Sequence, residues 1–193
     1  MAAPAAFRVE TVDYAQAQPE LHAVRERVFV HEHGLPREQE RDALDPLSAH
    51  VLARDADGLP IGAGRLTPER MIGRMAVLPG WRGRGVGAAI LDALLQLGRQ
   101  RGWREVALAA HADAMAFYLR HGFAPTGEPL STAGIAQQAM RRPLGLHAIE
   151  ERDAARAATA ALAVRLAELP DGVRGFEDVK MRTVESYHQA MAE

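Results

Sequence analysis

The sequence predicts an α/β (α+β) fold with a mixed central sheet and flanking helices, and three observations lead to this class. Short runs of β-forming residues separated by turn residues predict strands, and Asp57-Gly58 predicts a hairpin between two of them. Residues 86–101 repeat apolar side chains with helical spacing. Apolar runs at 72–78 and 106–110 flank that helix, and such a strand–helix–strand unit predicts two parallel strands.

The first half of the chain is predicted to supply one long helix and three strands. The alternating stretch Phe7–Thr11 is typical of a strand. Apolar residues recur with helical spacing over Glu20–His33, and Gly34 and Pro36 end that helix. The charged segment Arg37–Pro46 is expected to be a loop. The two strands of the predicted hairpin follow, over Ala49–Asp55 and Ile61–Thr67.

The second half begins with the strand–helix–strand unit, whose helix ends before Gly102. The run Val106–Ala110 is apolar throughout, as in a buried central strand. Asp113 is expected to cap a short helix over Ala114–His121. The closing strand is expected over Ile135–Arg141.

Residues 145–193 differ in composition from residues 1–144, so we predict a helical C-terminal extension behind the main domain. Two amphipathic helices are expected there, over Ala148–Leu169 and Phe176–Ala192. These helices either pack on their own domain and on each other, or form the surface of a homodimer or of another partner. The first helix carries a regularly spaced seam, formed by Ala155, Thr159, Leu162, Leu166 and Leu169.

Composition and charge restrict the function. Hydrophobic residues make up 48% of the chain and charged residues 25%, as expected of a soluble globular protein. A formal net charge of −2 gives no global positive field for nucleic acid or an anionic membrane. The absence of cysteine excludes disulfides and a cysteine nucleophile. We see neither a signal peptide nor an apolar stretch of about 18–20 residues, so we expect a cytoplasmic protein.

A glycine-rich turn between a strand and a helix, Ile72–Ala89, organises the predicted site. Helix N-termini present amides without intrahelical partners, and glycine lets a phosphate come close to them. Three nucleotide motifs compete for this turn. The sequence has no Gly-Lys-Ser/Thr here, so the turn is not a P-loop. Gly83, Gly85 and Ala88 would fit a dinucleotide-binding turn, but the acidic residue expected about 20 positions further on is missing. The third motif is Arg-x-x-Gly-x-Gly, over residues 82–87.

A second motif favours the Arg-x-x-Gly-x-Gly interpretation of the glycine turn. Residues 116–123, AFYLRHGF, follow one strand later. Together with the first motif and the strand order, they strongly resemble the GCN5-related N-acetyltransferase (GNAT) superfamily over residues 7–143, which implies the acyl-CoA N-acyltransferase type of sheet. Upstream, Arg27–Glu32, Glu40-x-Asp42-x-x-Asp45 and Ala49-His50 resemble the ElaA/YjcF-like subgroup. The C-terminal extension lies outside the resemblance and stays unassigned.

The resemblance implies an acetyl-CoA-dependent N-acetyltransferase. Its substrate would be a primary amine, which attacks the thioester directly through a tetrahedral intermediate. Backbone amides of the glycine turn would bind the pyrophosphate, with added charge from two arginines, and pantetheine would insert along the edge of the preceding strand, which splays from its neighbour. The implied cofactor-binding residues are Met75, Ala76, Val77, Arg82, Gly83, Arg84, Gly85, Val86, Gly87, Ala88, Asp113 and Tyr118.

Two residues carry the chemistry that the resemblance implies. The Tyr118 hydroxyl would act as the general acid and protonate the leaving thiolate, since the reference pKa of a phenol, about 10, lies close to that of a thiol. The backbone amide of Val77, or of a close neighbour, would stabilise the oxyanion. The structural alternative for Tyr118 is packing, because Phe117 and Phe123 are apolar neighbours.

The general base is not identified by the sequence. Asp113 stands where the family has an asparagine, and an aspartate cannot donate an amide hydrogen to cofactor carbonyls. His111 stands where the subgroup commonly has a glutamine, and Gln137 stands where relatives have a histidine. The candidates to take the proton of the amine are Glu40, His50, Glu69, His111 and Glu128.

Two further groups of residues have alternative interpretations. His31, Glu32 and His33, with His50, contain metal-ligand types, but their side chains should diverge at a helix end, so no metal site is predicted. A second group is acidic and either attracts a cationic amine or forms a solvated loop: Glu38, Glu40, Asp42 and Asp45.

The sequence therefore predicts an acyltransferase for a small-molecule or peptidyl amine, with acetyl-CoA as cosubstrate and without a metal. A non-catalytic acyl-CoA-binding or regulatory module is the alternative. A dinucleotide-dependent oxidoreductase is a more distant one. The acceptor amine itself is not named by any motif.

Overall fold

The structure is a computed structural model that describes residues 6–132 and 135–145. The expected helices of the C-terminal extension lie outside these residues, and the predicted boundary after residue 144 stays a prediction. The chain divides into two compact units between Val106 and Ala107. Among the helices of the described ranges, none is long and apolar enough to cross a membrane.

The first unit contains a four-stranded antiparallel sheet in the order β1-β2-β3-β4. Each strand lies within one residue of its predicted range, because alternating β-forming residues mark the strands and the turn at Gly58, with a φ of 84°, sets the hairpin. The strands are β1 (Phe7–Val12), β2 (Ala49–Asp55), β3 (Pro60–Leu66) and β4 (Ile72–Val77).

The predicted helix over Glu20–His33 is two helices of different kinds. The α-helix α1 (Tyr14–Arg25) begins earlier than predicted, because the side chain of Asp13 accepts a hydrogen bond from the Gln16 amide at 3.1 Å and caps it. A π-helix (Glu26–Glu32) continues it, and the amide of His33 donates to the carbonyl oxygen of Val28 at 3.0 Å. Apolar spacing alone does not distinguish these two helix types.

The predicted loop Arg37–Pro46 contains ordered turns. It forms a short helix, α2 (Arg37–Glu40), and a 3-10 turn (Asp45–Leu47). The strong apolar helix after the glycine turn is α3 (Val86–Gln100), as predicted to within one residue.

Different helices cover the two faces of the first sheet. Ala63 of β3 packs in a buried cluster with residues of α1 and the π-helix, including Leu21, Val24 and Val28. Successive side chains of a strand point to opposite faces, so the neighbouring Gly62 and Gly64 face the other layer. There a Cβ atom would meet Ile90 of α3 at 2.7 Å or less. The glycines of β3 therefore permit the close approach of α3.

Gly64→Ala is expected to lower the free energy of unfolding by about 1–3 kcal/mol. The new Cβ would lie 2.6 Å from Cγ2 of Ile90 and 2.9 Å from Cδ1 of Leu94. Cγ2 of an isoleucine is attached to its branched Cβ and cannot move aside without rotation about a stiff χ1. Chemical denaturation measures the change. Gly73→Ala on β4 is the matched control, since no atom lies within 4 Å of that Cβ, and equal stability of the two variants would refute this account.

The second unit contains most of the second sheet, whose strands are β5 (Glu105–His111), β6 (Ala124–Pro125), β7 (Leu130–Thr132) and β8 (Ile135–Pro143). Their order is β5-β8-β6, with β7 paired to β8. In this unit the helix α4 (Met115–Arg120) follows a 3-10 turn (Ala112–Ala114). The predicted cap is wrong, because Asp113 lies inside the 3-10 turn and Ala114 occupies the cap position without a side-chain bond.

The strands β4 and β5, which the sequence predicts to be parallel, belong to different sheets of the described residues. The register between β3 and β4 shifts between Ala63 and Arg65, and Arg74 of β4 has a φ of 51°. An irregularity of this kind bends a strand and interrupts pairing. Among the strands of the described residues, only β3 pairs with β4, which is therefore an edge strand of the first sheet in that part of the chain.

Candidate active site

The free edge of β4 carries the backbone groups of Val77. The Leu78 amide donates to the carbonyl oxygen of Ile61 on β3 at 2.9 Å. Because backbone groups alternate in direction along a strand, Val77 and its partner Gly62 form a non-hydrogen-bonded pair. The N–H and C=O of Val77 therefore point away from β3, along the free edge. Those of Ala76 point into the sheet, so Ala76 offers no backbone group to a ligand on this edge.

The glycine turn presents amides to an open space. Gly83 and Gly85 have φ values of 71° and 83°, in the left-handed region that favours glycine. Gly85 occupies the cap position of α3 and its carbonyl accepts the first helical bond, from Ala89 at 3.0 Å. The amides of Val86, Gly87 and Ala88 precede that bond and have no intrahelical acceptor. A Cβ at Gly83 or Gly85 would meet no atom within 4 Å, so the residues present fit a phosphate group.

The two arginines of the turn differ in their surroundings. Arg84 is exposed, and its guanidinium lies 5.3 Å from the centre of the Trp81 ring. The guanidinium of Arg82 is already bound: its Nε donates to the carbonyl oxygen of Val77 at 3.0 Å. Its two terminal nitrogens donate to both carboxylate oxygens of Glu32, each at 2.6 Å. The backbone amide of Arg82 donates to the carbonyl oxygen of Pro79 at 3.3 Å. Cofactor binding by Arg82 stays a prediction, and in the structure both its amide and its side chain bind the protein itself.

Tyr118 lies in the second unit, on α4, and its ring is 9% exposed. It contacts the rings of Phe117 and Phe123 edge-on, with centres 5.1 Å and 5.7 Å away. Among the described residues, no hydrogen bond to the Tyr118 hydroxyl is found. Burial raises the pKa of Tyr118 to about 12, so the phenol keeps its proton at neutral pH. The raised pKa keeps the hydroxyl in the proton-bearing form that a general acid needs, and it also lies further from the pKa of a thiol than the reference value of about 10 does.

Two positions that depart from the family pattern lie together in the second unit. Nε2 of His111, at the end of β5, is 3.5 Å from Nε2 of Gln137 on β8. His111 is exposed. The glutamine and histidine expected at these positions are thus exchanged, and the structure brings the exchanged pair into contact. Two other base candidates, Glu69 and Glu128, are also exposed.

The acidic stretch forms a network with arginines, which neither interpretation of the sequence anticipated. Glu40 and Asp45 are fully buried, so neither belongs to a solvated loop or can attract a cationic amine. Three carboxylates and three arginines balance each other in charge. We call this network the acid–arginine cluster: Arg25, Glu40, Asp42, Asp45, Arg65 and Arg74.

Asp45 is at the centre of the acid–arginine cluster. Both terminal nitrogens of Arg25 donate to its two oxygens at 3.0 Å, and Arg65 donates at 2.7 Å. Burial alone would raise the pKa of Asp45, but the hydrogen bonds from Arg25 and Arg65 outweigh it and lower the pKa to about 2. Glu40 lies 2.5 Å from Nε of Arg25. Asp42 joins Arg65 to Arg74, at 2.7 Å and 3.0 Å.

Two buried histidines adjoin the acid–arginine cluster. His22 lies between the Tyr14 hydroxyl, at 3.0 Å, and Glu40, at 2.9 Å. His50 is fully buried, with Nε2 2.8 Å from the carbonyl oxygen of Asp45, and burial lowers its pKa. Since Glu40 and His50 are inaccessible to a substrate, both are wrong as candidates for the general base. Their side chains hold the fold together.

The residues considered as metal ligands do not converge. Glu32 binds Arg82, and His33 lies 3.8 Å from Glu32. His50 is buried against the acid–arginine cluster. Within residues 6–132 and 135–145, no group of three or more histidine or carboxylate side chains could hold a metal ion.

Comparison with known proteins gives the family. Residues 10–144 match the model of the acetyltransferase (GNAT) domain, so the chain belongs to the GNAT acyltransferase family. It is 38% identical over 103 residues to YjcF of Bacillus subtilis, described as an uncharacterized N-acetyltransferase, covering 52% of this chain and 73% of YjcF.

Solved structures agree on the fold. An acyl-CoA N-acyltransferase from Pseudomonas aeruginosa superposes with a TM-score of 0.64 at 28% identity, covering 71% of this chain and 99% of that one. ElaA of Escherichia coli superposes with a TM-score of 0.64 at 24% identity, with the same coverage. The acyl-CoA N-acyltransferase fold and the ElaA/YjcF-like recognition that the sequence motifs predicted are thereby confirmed.

Proposed function

We propose that this protein is an acetyl-CoA-dependent N-acetyltransferase for a primary amine of a small molecule or peptide. The observation that supports the proposal is the continuity of the donor site in the chain. The free edge of β4 ends at Val77, and the open glycine turn follows within a few residues. An extended thiol cofactor with a pyrophosphate needs both features, a strand edge for its amides and a nest of N–H groups for its phosphates.

Each residue then has a defined task. The amides of Val86, Gly87 and Ala88 bind the pyrophosphate, and the Val77 amide stabilises negative charge on the carbonyl oxygen of the donor. The cosubstrate supplies the acetyl group as a thioester, which the amine attacks directly. Tyr118, protonated at neutral pH, gives its proton to the departing thiolate. His111, Glu69 and Glu128 remain as candidates to take the proton of the amine, directly or through water.

CoA is expected to stabilise the protein against heat, whereas NAD is expected to have no effect. At a CoA concentration of about 100 times Kd, linkage adds about 2.7 kcal/mol, which corresponds to a rise in Tm of about 5–10 °C for a chain of this size. Thermal shift measures binding, and release of free thiol from acetyl-CoA with a panel of primary amines measures transfer.

The outcomes separate the alternatives. Stabilisation by CoA with thiol release supports the N-acetyltransferase. Stabilisation without thiol release from any amine favours a non-catalytic acyl-CoA-binding module. Stabilisation by NAD instead of CoA would refute the assignment of the glycine turn.

A further inference from the structure

Glu32 is tied to the donor site through Arg82. Both oxygens of its carboxylate accept from the terminal nitrogens of Arg82, each at 2.6 Å, in a two-pronged ion pair. The same guanidinium donates through Nε to the carbonyl oxygen of Val77 at 3.0 Å. Arg82 therefore joins three parts of the first unit: the end of the π-helix, the end of β4 and the start of the glycine turn.

The Val77 carbonyl that Arg82 holds lies on the free edge of β4. The Leu78 amide donates to the carbonyl oxygen of Ile61 on β3. Because backbone groups alternate in direction along a strand, the N–H and the C=O of Val77 both point to the edge that faces away from β3. Arg82 occupies the carbonyl of Val77, whereas the N–H of Val77 belongs to the preceding peptide group. The ion pair with Glu32 thus fixes the orientation of Arg82, and Arg82 fixes the last peptide of the strand.

The local geometry of Glu32 is unusual. It is the final residue of a seven-residue π-helix. The His33 amide donates to the carbonyl oxygen of Val28, five residues earlier, whereas in an α-helix it would donate to the residue four positions earlier. π-helical segments are rare and occur frequently at functional sites. Continuation of α1 in regular α-helical geometry would turn the Glu32 side chain to a different direction, since each π turn holds an extra residue.

The pair contributes little to overall stability. The side chains of Arg82 and Glu32 are 43% and 35% exposed, and exposed ion pairs are screened by water and salt. The hydrogen bond from Arg82 lowers the pKa of Glu32, so the carboxylate stays charged at neutral pH. An ion pair of this kind matters through the geometry it fixes and not through the free energy of folding.

We propose that Glu32 is a positioning residue for acyl-CoA binding, acting through Arg82 on the glycine turn and on the free edge of β4. This inference rests on the proposed function. No ligand contact is assigned to Glu32 itself. Its effect is expected in the affinity for the donor and not in the step that follows binding.

Glu32→Gln is expected to raise the Kd for CoA and the KM for acetyl-CoA about three- to tenfold. The amide keeps the shape of the side chain and removes the charge that orients Arg82. We expect kcat at saturating acetyl-CoA to change by no more than about twofold, and Tm by no more than about 2 °C. Calorimetric titration with CoA gives Kd directly. A merely structural role would lower Tm and leave Kd unchanged, which would overturn the proposal.

Glu26→Gln is the matched control. Glu26 is the first residue of the same π-helix and binds Arg37 at 3.0 Å and Arg41 at 3.1 Å, away from the glycine turn. The same substitution there removes two ion pairs of the same helix and should leave Kd for CoA at the wild-type value. An equal rise of Kd in both variants would mean that the helix charge, and not the pair with Arg82, determines affinity, and would also overturn the proposal.

A double-mutant cycle tests the route through Arg82. If Glu32 acts only through Arg82, then adding Glu32→Gln to Arg82→Gln produces no further loss of affinity. Independent, additive losses would overturn the proposed route. Wild-type protein that does not bind CoA would refute the proposed function, a result distinct from wild-type binding with an unaffected Glu32→Gln variant.

Discussion

Tyr118→Phe is expected to lower kcat for acetyl transfer about 10²- to 10⁴-fold, the range typical of a lost general acid. The KM for acetyl-CoA should change little, because the hydroxyl is proposed to act on the leaving thiolate and not on the bound donor. Phenylalanine keeps the ring contacts with Phe117 and Phe123, so the packing of α4 is retained. Thiol release under saturating acetyl-CoA measures the change.

Tyr14→Phe provides the control for loss of a tyrosine hydroxyl elsewhere in the chain. The Tyr14 hydroxyl binds His22 at 3.0 Å next to the acid–arginine cluster, and its removal should not alter kcat. Wild-type kcat in Tyr118→Phe would show that Tyr118 only packs. Because burial raises the pKa of Tyr118 to about 12, the acid stays protonated as pH rises, and we expect no loss of activity from its ionisation below about pH 11.

Asp45→Asn is expected to lower the free energy of unfolding by about 3–5 kcal/mol, the cost of breaking a buried ion pair from one side. The substitution removes the charge that faces Arg25 and Arg65 and leaves both guanidinium groups buried with an excess of positive charge. Urea denaturation followed by circular dichroism measures the loss. Asp57→Asn makes the same change at an exposed hairpin turn and should be close to wild type.

The stability that Asp45 contributes should depend on pH in a defined direction. Its pKa is lowered from 3.8 to about 2 in the folded protein, so the unfolded state binds a proton at a higher pH than the folded state does. The contribution is fully present above about pH 4 and is lost as pH falls through about 2. Asp45→Asn should therefore remove part of the acid sensitivity between these values. An unchanged pH dependence of unfolding in the variant would contradict this assignment.

Features encoded by local spacing were predicted well from the sequence. Alternating residues and Asp57-Gly58 determine the β2–β3 hairpin, and the apolar face around Ile90 determines α3. The glycine turn is predictable because Gly83 and Gly85 stand between an apolar strand and an apolar helix, and their positive φ values agree with that prediction. The donor half of the candidate site depends on these local signals.

Features that depend on distant partners were not predictable in this way. The acidic residues Glu40 and Asp45 resemble a surface loop until Arg25 and Arg65, from other elements, are placed beside them. Glu32 likewise lies far from Arg82 in sequence, and its spacing gave no sign of the ion pair. The available signal is that Glu32, Glu40 and Asp45 all belong to the stretches that resemble the subgroup, and the structure uses all three for contacts within the protein.

The acid–arginine cluster also restricts which substitutions this part of the chain can accept over evolution. Each of its carboxylates forms an ion pair with an arginine of another element. A single substitution at Glu40 or Asp45 would leave an unbalanced buried charge, and selection for a stable fold would remove it. A substitution at an exposed neighbour such as Glu38 leaves no buried charge without a partner. Divergence among relatives that share the cluster should therefore accumulate at such exposed positions, while the cluster itself is retained.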